Sequence, residues 1–361
     1  MPTIRKIRLL SLVASAAFAA ACGESTAPDF GVALDTDAAA ADYAAFDSVF
    51  ATDGWAGFAA LGARTPWSAA PAAIDAVAGL SRAPSGRQFA VQLARRLAAG
   101  AAGAPALAPV IDSYRGATFV YDADLGEYVV DPARTGAPSN GVRFIVYEVD
   151  LLGVPVGDEE IGHADLIDEG DDSAEDVALR LVVVTGDGTV LDYRTTVDLT
   201  LTQGAITVTG YLQGEHGLRL DFDIEAVGTQ LLDHTTLDIQ FDLGVDARDF
   251  RIEGSVHGIE DGPEGEGDVH LVVQHRDRSI RLEVSGSEGQ VDGSVFLDDR
   301  LFATVSGDAD DPTILSAEGE ALTSGQIFVL LHVMDVVEDV FDFLEDLVDP
   351  VDEIVFLGLI L

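Results

Sequence analysis

Two stretches decide the fold: Leu218-Arg219-Leu220-Asp221-Phe222-Asp223-Ile224-Glu225, and its echo Leu237-Asp238-Ile239-Gln240-Phe241-Asp242-Leu243. Apolar and polar side chains alternate in both, so an extended chain buries one face and wets the other. The same beat runs from about Thr195 to Ser324. It predicts strands at 195–203, 205–213, 218–227, 235–245, 249–257, 268–275, 279–285, 291–297, 300–306 and 313–320. Short turns of Gly and Asp separate them, which makes an antiparallel meander. With no helix between strands, the parallel crossovers of a doubly wound fold are not expected.

Upstream, Ala117–Tyr121 and Glu127–Val130 read as a hairpin around Asp122-Ala123-Asp124-Leu125-Gly126. Val142–Val149, Ala178–Val184 and Val190–Val197 read as further strands, and Asp168–Asp176 as an acidic loop. A flat sheet of this size would leave a large apolar face uncovered. The expected class is therefore α+β, mainly β: a strongly curved antiparallel meander, half-barrel or barrel-like, over residues 111–323.

Residues 35–110 are alanine-rich and read as helical. Tyr43, Phe46 and Phe50 recur at three- and four-residue steps, and Ser85 with Gln88 forms a capping box ahead of Phe89, Leu93 and Leu97. Gly100–Pro109 is a linker. Trp55 and Trp67 stand near Gly and Pro and read as core residues between helices. Residues 324–361 close the chain. From Ser324 to Asp349 the polar positions His332, Asp335, Glu338, Asp339, Asp342, Glu345 and Asp346 form one narrow stripe. A helix apolar around most of its circumference is an embedded one. This one is expected on the apolar concave face of the sheet, ended by Pro350 and followed by the tail Ile354–Leu361, too short to span a bilayer.

The chain opens with Arg5, Lys6 and Arg8, then the small and apolar run Leu9–Ala21, the layout of a secretory signal at 1–21. The run ends in Ala19-Ala20-Ala21-Cys22-Gly23, which resembles the lipobox of bacterial lipoproteins, although Ala19 stands where that motif more often has Leu. The resemblance implies that Cys22, the chain's one cysteine, is acylated and becomes the first mature residue. A tether comes next, at 22–34. Gly23, in place of the Asp that retains such proteins in the inner membrane, implies the outer membrane. Two or three acyl chains anchor firmly without a transmembrane helix.

The formal charge is −43, and losing the three signal cations takes it to −46. Lys6 is the only lysine. Such a surface repels nucleic acid and anionic head groups; it matches salt-adapted proteins, with a calcium-binding surface as the alternative. Hydrolase elbows, zinc-protease motifs, phosphate loops and dinucleotide fingerprints are all missing from the sequence. Gly265-Glu266-Gly267 lacks the third glycine. The seven histidines are scattered, and His270 and His275 have opposite parity on their strand. Asp122 with Asp124, Glu264 with Glu266 and Asp268, and Asp308 with Asp310 and Asp311 are the calcium candidates, each equally a hairpin turn.

No catalytic residue, metal or cofactor is expected. The sequence points to a non-enzymatic envelope lipoprotein. Its partners are the membrane, through the acyl anchor on Cys22, and an apolar small molecule, a lipid or an envelope protein. The rivals are a structural module without a ligand, a membrane β-barrel and a carboxylate-based hydrolase.

Overall fold

The computed structural model describes residues 49, 52–62 and 114–323, apart from 151–152, 171–175, 187, 201, 231–233, 262–263, 288 and 309–310. It also describes residues 326, 327 and 330. Helix α1 (Asp53–Gly62) precedes fifteen strands. These are β1 (Thr118–Asp122), β2 (Glu127–Val130), β3 (Gly141–Val149), β4 (Pro155–Asp168), β5 (Asp176–Thr185), β6 (Gly188–Leu199), β7 (Gln203–Gln213) and β8 (Arg219–Gln230). The rest are β9 (Thr235–Val245), β10 (Phe250–Asp261), β11 (Glu264–His275), β12 (Arg278–Ser287), β13 (Gln290–Leu297), β14 (Arg300–Asp308) and β15 (Asp311–Ser316).

All fifteen lie in one sheet, and from β3 to β15 spatial order is sequence order. The sheet is open: β15 and β2 are its edges, and it does not close into a barrel. One pairing departs from the antiparallel expectation. β1 lies between β2 and β3 and runs parallel to β3 through Thr118↔Arg143 and Phe119↔Phe144. That joint is held by aromatic side chains. Phe119 stacks on Phe144 at 4.9 Å, Tyr128 meets Phe144 edge-on at 5.8 Å, and the Tyr128 hydroxyl donates to the Ile145 carbonyl at 3.0 Å.

Alternation becomes two unlike faces. Leu181, Tyr193, Gly210, Phe222, Leu243, Ile252 and Val273 stand directly opposite one another across β5 to β11. Of these, all but the glycine belong to one buried apolar core. Each large apolar side chain taken from water contributes about 1.5–3 kcal/mol, so this face is the main source of stability. The other face carries the acids and arginines.

Helix α1 lies on the apolar face over β3 to β6. Trp55, Phe58 and Leu61 are buried on it, and Gly54 and Gly57 are buried too. A Cβ at Gly57 would sit 2.6 Å from Val146 Cγ1 and 2.8 Å from the Tyr147 carbonyl oxygen. The helix backbone thus rests on the strand without a side chain between. Trp55 is therefore inside a helix, not between helices as its neighbouring glycines predicted; those glycines permit close approach rather than breaking the helix. Trp67, Tyr43, Phe46, Phe50, the Ser85–Gln88 box and the Gly100–Pro109 linker lie outside the described residues, as does the polar stripe from His332 to Asp346.

The last described residues begin a helix. The Gln326 amide donates to Thr323 Oγ1 at 3.3 Å, and the Thr323 amide donates to Gln326 Oε1 at 2.9 Å. This is a reciprocal capping box. Ile327 N–H reaches the Thr323 carbonyl at 2.9 Å, and Leu330 is buried in the sheet's core.

Pairing slips between β3 and β4 and between β5 and β6, where the sheet meets α1, and again between β13 and β14. Pairing of β3 with β4 slips between Val146 and Tyr147, leaving Ile161 as an extra residue beside Gly162. Such a bulge increases local twist and re-aims a side chain; here Ile161 lies beneath Gly57. The same slip brings two like charges together, because the Glu159 carboxyl, hydrogen-bonded to Glu148, pushes the Glu148 carboxyl above its ordinary range. A carboxyl raised in the folded state adds stability below its unfolded value, about 4.3, and loses it as pH climbs through the folded one. Glu148→Gln is expected to raise the urea midpoint at pH 7 and leave it unchanged at pH 3.5.

Candidate functional site

The polar face is the place to look for acid chemistry. Its arginines take carboxylates across strands. Arg143 grips Asp165, directly opposite on β4, through Nε and Nη2 at 2.7 Å each. Arg180 grips Asp192 at 2.8 and 2.7 Å. Arg251 pairs with Asp242 and reaches Glu253 at 2.9 Å. Yet acids outnumber cations. Asp223, Asp242 and Glu253 stand in one row on β8, β9 and β10, and like charges opposite one another destabilise a sheet.

At the turn end of β8 to β11, Asp223 and Asp242 join Asp221, Asp246 and Asp249 around an open depression of about 670 Å³ that Arg251 and Arg276 also line. Among the described residues no group of three His, Cys, Asp or Glu side chains is placed to hold a metal ion. The depression is a solvated acidic surface.

The calcium candidates lie on strands and turns. Asp122 Oδ1 accepts the amides of Asp124 at 2.9 Å and Leu125 at 3.1 Å, so this carboxylate closes the hairpin. Glu264, Glu266 and Asp268 are successive same-face positions of β11. Asp308 and Asp311 pair across the β14–β15 turn, while Asp310 lies outside the described residues. His270 stands opposite Glu283 on the polar face, whereas His275 stands opposite Phe250 on the apolar one. Register, not sequence spacing, reveals a further group. His257 lies between Asp238 and Asp268 on neighbouring strands, with its Nδ1 2.6 Å from Asp238 Oδ1.

The apolar face holds what the sequence did not single out. Tyr193 and Thr195 follow the strand alternation of β6 and point to the buried side; both are only 2% exposed. Among the described residues, Tyr193 OH and Thr195 Oγ1 have no hydrogen-bond partner. Burial drives the Tyr193 phenol well above its ordinary pKa, so it stays a neutral donor. Their cross-strand neighbours are Leu179, Leu181, Val208 and Gly210, all uncharged. An unpaired buried hydroxyl costs about 1–3 kcal/mol, where Phe or Val would cost nothing of the kind. Natural cores pair nearly all such groups, so two on one strand face call for a reason.

Cover of this face is uneven. Over β5 to β9 its side chains are buried. Farther on, the row Val256, Val269 and Val284 on β10, β11 and β12 is half-exposed, as is the adjoining row Gly258, Gly267 and Gly286.

Cys22 lies outside the described residues. Among those described, no helix is long and apolar enough to cross a membrane, which does not bear on strands. Comparison with protein-family models, with curated proteins and with solved structures finds no match to the chain.

Proposed function

We propose that this chain is a lipid-anchored cell-envelope protein, held through acylated Cys22 in the outer membrane, that binds an apolar ligand without transforming it. The run Ala19-Ala20-Ala21-Cys22, after a cationic start, supports the anchor. The observation that carries the ligand reading is the uneven cover of the apolar face, buried at β5 to β9 and half-open along Val256, Val269 and Val284. An apolar surface left part-wet at one end is where an apolar molecule gains most by docking. The helix that starts at Thr323 completes the cover in this reading, and the burial of Leu330 in the same core supports that.

Cys22→Ser tests the anchor. The wild-type chain is expected to incorporate an alkyne palmitate analogue in growing cells and to enter the detergent phase on cloud-point extraction. The variant should do neither; a variant that still labels would overturn the reading. Ending the chain before Ser324 tests the site. A carrier should then bind more of a naphthylamine dye while keeping its strand signal in circular dichroism. If the shortened chain instead unfolds, the C-terminal helix is permanent core and the protein is a structural module.

A further inference from the structure

An open sheet has two edge strands, and each is a template on which another strand can add. At β15 the template is attractive, because Thr313-Ile314-Leu315 is an uncharged run of good strand formers. The Ala317 amide donates to the Phe302 carbonyl of β14 at 3.1 Å, whereas the Ser316 amide points the other way, to the Glu320 carbonyl at 2.8 Å. Backbone groups alternate in direction along a paired strand. Pro312, Ile314 and Ser316 are therefore the residues of β15 whose backbone turns away from the sheet.

Two of those three positions are closed. Pro312 offers no N–H, so it removes one rung from any ladder added on this side. Beyond Ser316 the chain doubles back. The Gly319 amide donates to the Ser316 carbonyl at 2.8 Å, the Glu320 amide donates to Ser316 Oγ at 3.3 Å, and Ala321 bridges Leu315. Gly319, at φ +78°, permits this return. The returning chain takes the place of a neighbouring strand, and its exposed Glu318 and Glu320 repel another acidic molecule. Among the described residues, the Ile314 amide is the outward donor of β15 still without an acceptor.

From this we infer that Pro312 and the return turn at 316–321 guard the open edge: they keep β15 from pairing with β15 of a second copy. Without them, two copies related by a twofold axis would pair antiparallel about Ile314, position 312 of each opposite position 316 of the other. All three outward positions would then bond, and two sheets would run on as one.

The experiment is sedimentation velocity over a range of chain concentrations, with hydrogen exchange followed at the Ile314 amide. Every chain carries Cys22→Ser, so that no acyl group holds copies together, and NaCl at about 1 M screens repulsion beyond about 3 Å. Pro312→Val combined with Gly319→Val restores the missing donor and strains the return, since valine is disfavoured at positive φ. The chain with its guard intact is expected to stay monomeric. The double variant should approach double that mass as concentration rises, with Ile314 exchange slowed about tenfold. Thr313→Val, which makes the same strand more apolar and leaves the guard in place, should stay monomeric.

A double variant that keeps its strand signal in circular dichroism and remains a monomer overturns the inference. A dimer in which Ile314 exchanges as fast as before also overturns it, because the copies then meet elsewhere. Equal dimerisation by Thr313→Val does the same, because apolar surface rather than the guard then decides. If the double variant loses its strand signal, Pro312→Val with two glycines inserted between Glu318 and Gly319 takes its place. The longer turn lets the return leave the edge without strain, and the same outcomes apply.

Discussion

Gly162→Ala is expected to lower the folding free energy by about 3 kcal/mol or more, the largest loss from adding a single methyl group among the described residues. A Cβ at this position would overlap the Val184 carbonyl oxygen and crowd the Thr185 Cα. Both are backbone atoms of β5, so no rotamer change relieves the clash and the strands must part. Gly162 also adjoins the extra residue Ile161, which lies with Val146 under Gly57 of α1. Parting β4 from β5 therefore tilts the seat of the helix as well as breaking the ladder. The measurement is the urea midpoint with its slope, and Gly157→Ala is the control. Gly157 is exposed on the same strand with open space around it, and its change should stay within about 0.5 kcal/mol. Equal midpoints for the two variants would show that the β4–β5 joint yields easily.

Salt is expected to act in the direction opposite to that of most ion-paired surfaces. Raising NaCl from 10 mM to 1 M should stabilise the fold by about 2 kcal/mol or more, as the screening length falls from about 30 Å to about 3 Å. Two effects compete. Screening weakens the pairs of Arg143, Arg180 and Arg251 with their aspartates, each of them at least partly exposed and worth about 1 kcal/mol or less. It also relieves repulsion among 63 acidic residues set against 20 basic ones. The row Asp223, Asp242 and Glu253 sets three acids side by side in the ladder with Arg251 bridging two of them. Numbers favour repulsion. Chemical denaturation with urea, which adds no ions of its own, reads the effect directly. A midpoint that falls with salt would show that the arginine pairs dominate.

Much of the sheet can be read before folding because alternation states which side of a strand is wet. From β7 onward the expected strands and the observed ones coincide to within a few residues. β4 escapes such a reading for a physical reason: Gly157-Asp158-Glu159-Glu160 puts three acids in succession, and Gly162 interrupts the alternation beyond them. The bulge at Ile161 absorbs that irregularity. The parallel pairing of β1 with β3 is not legible either, since a pattern of faces names no partner. Closure stays open at the level of sequence, because strand number does not set the stagger that would join β2 to β15. The helix start expected at Ser324 agrees with the Thr323–Gln326 box, which the structure reveals through its hydrogen bonds. The hydroxyls of Tyr193 and Thr195 are different. Both are good strand formers at inward positions, and only the lack of a hydrogen-bond partner among the described residues sets them apart.

Strand order that repeats sequence order from β3 to β15 has a consequence for how such a chain is made and how it changes. Each strand closes on the one just synthesised, so the entropy of loop closure stays small and ordering can spread hairpin by hairpin in either direction. The molecule behaves as a one-dimensional array whose unit is two strands. Gain or loss of one such unit returns the chain to the same end of the sheet with the same side inward. The width of the sheet, and with it the area of its apolar face, is then a quantity that inheritance can adjust in steps while the wet and dry sides stay as they are.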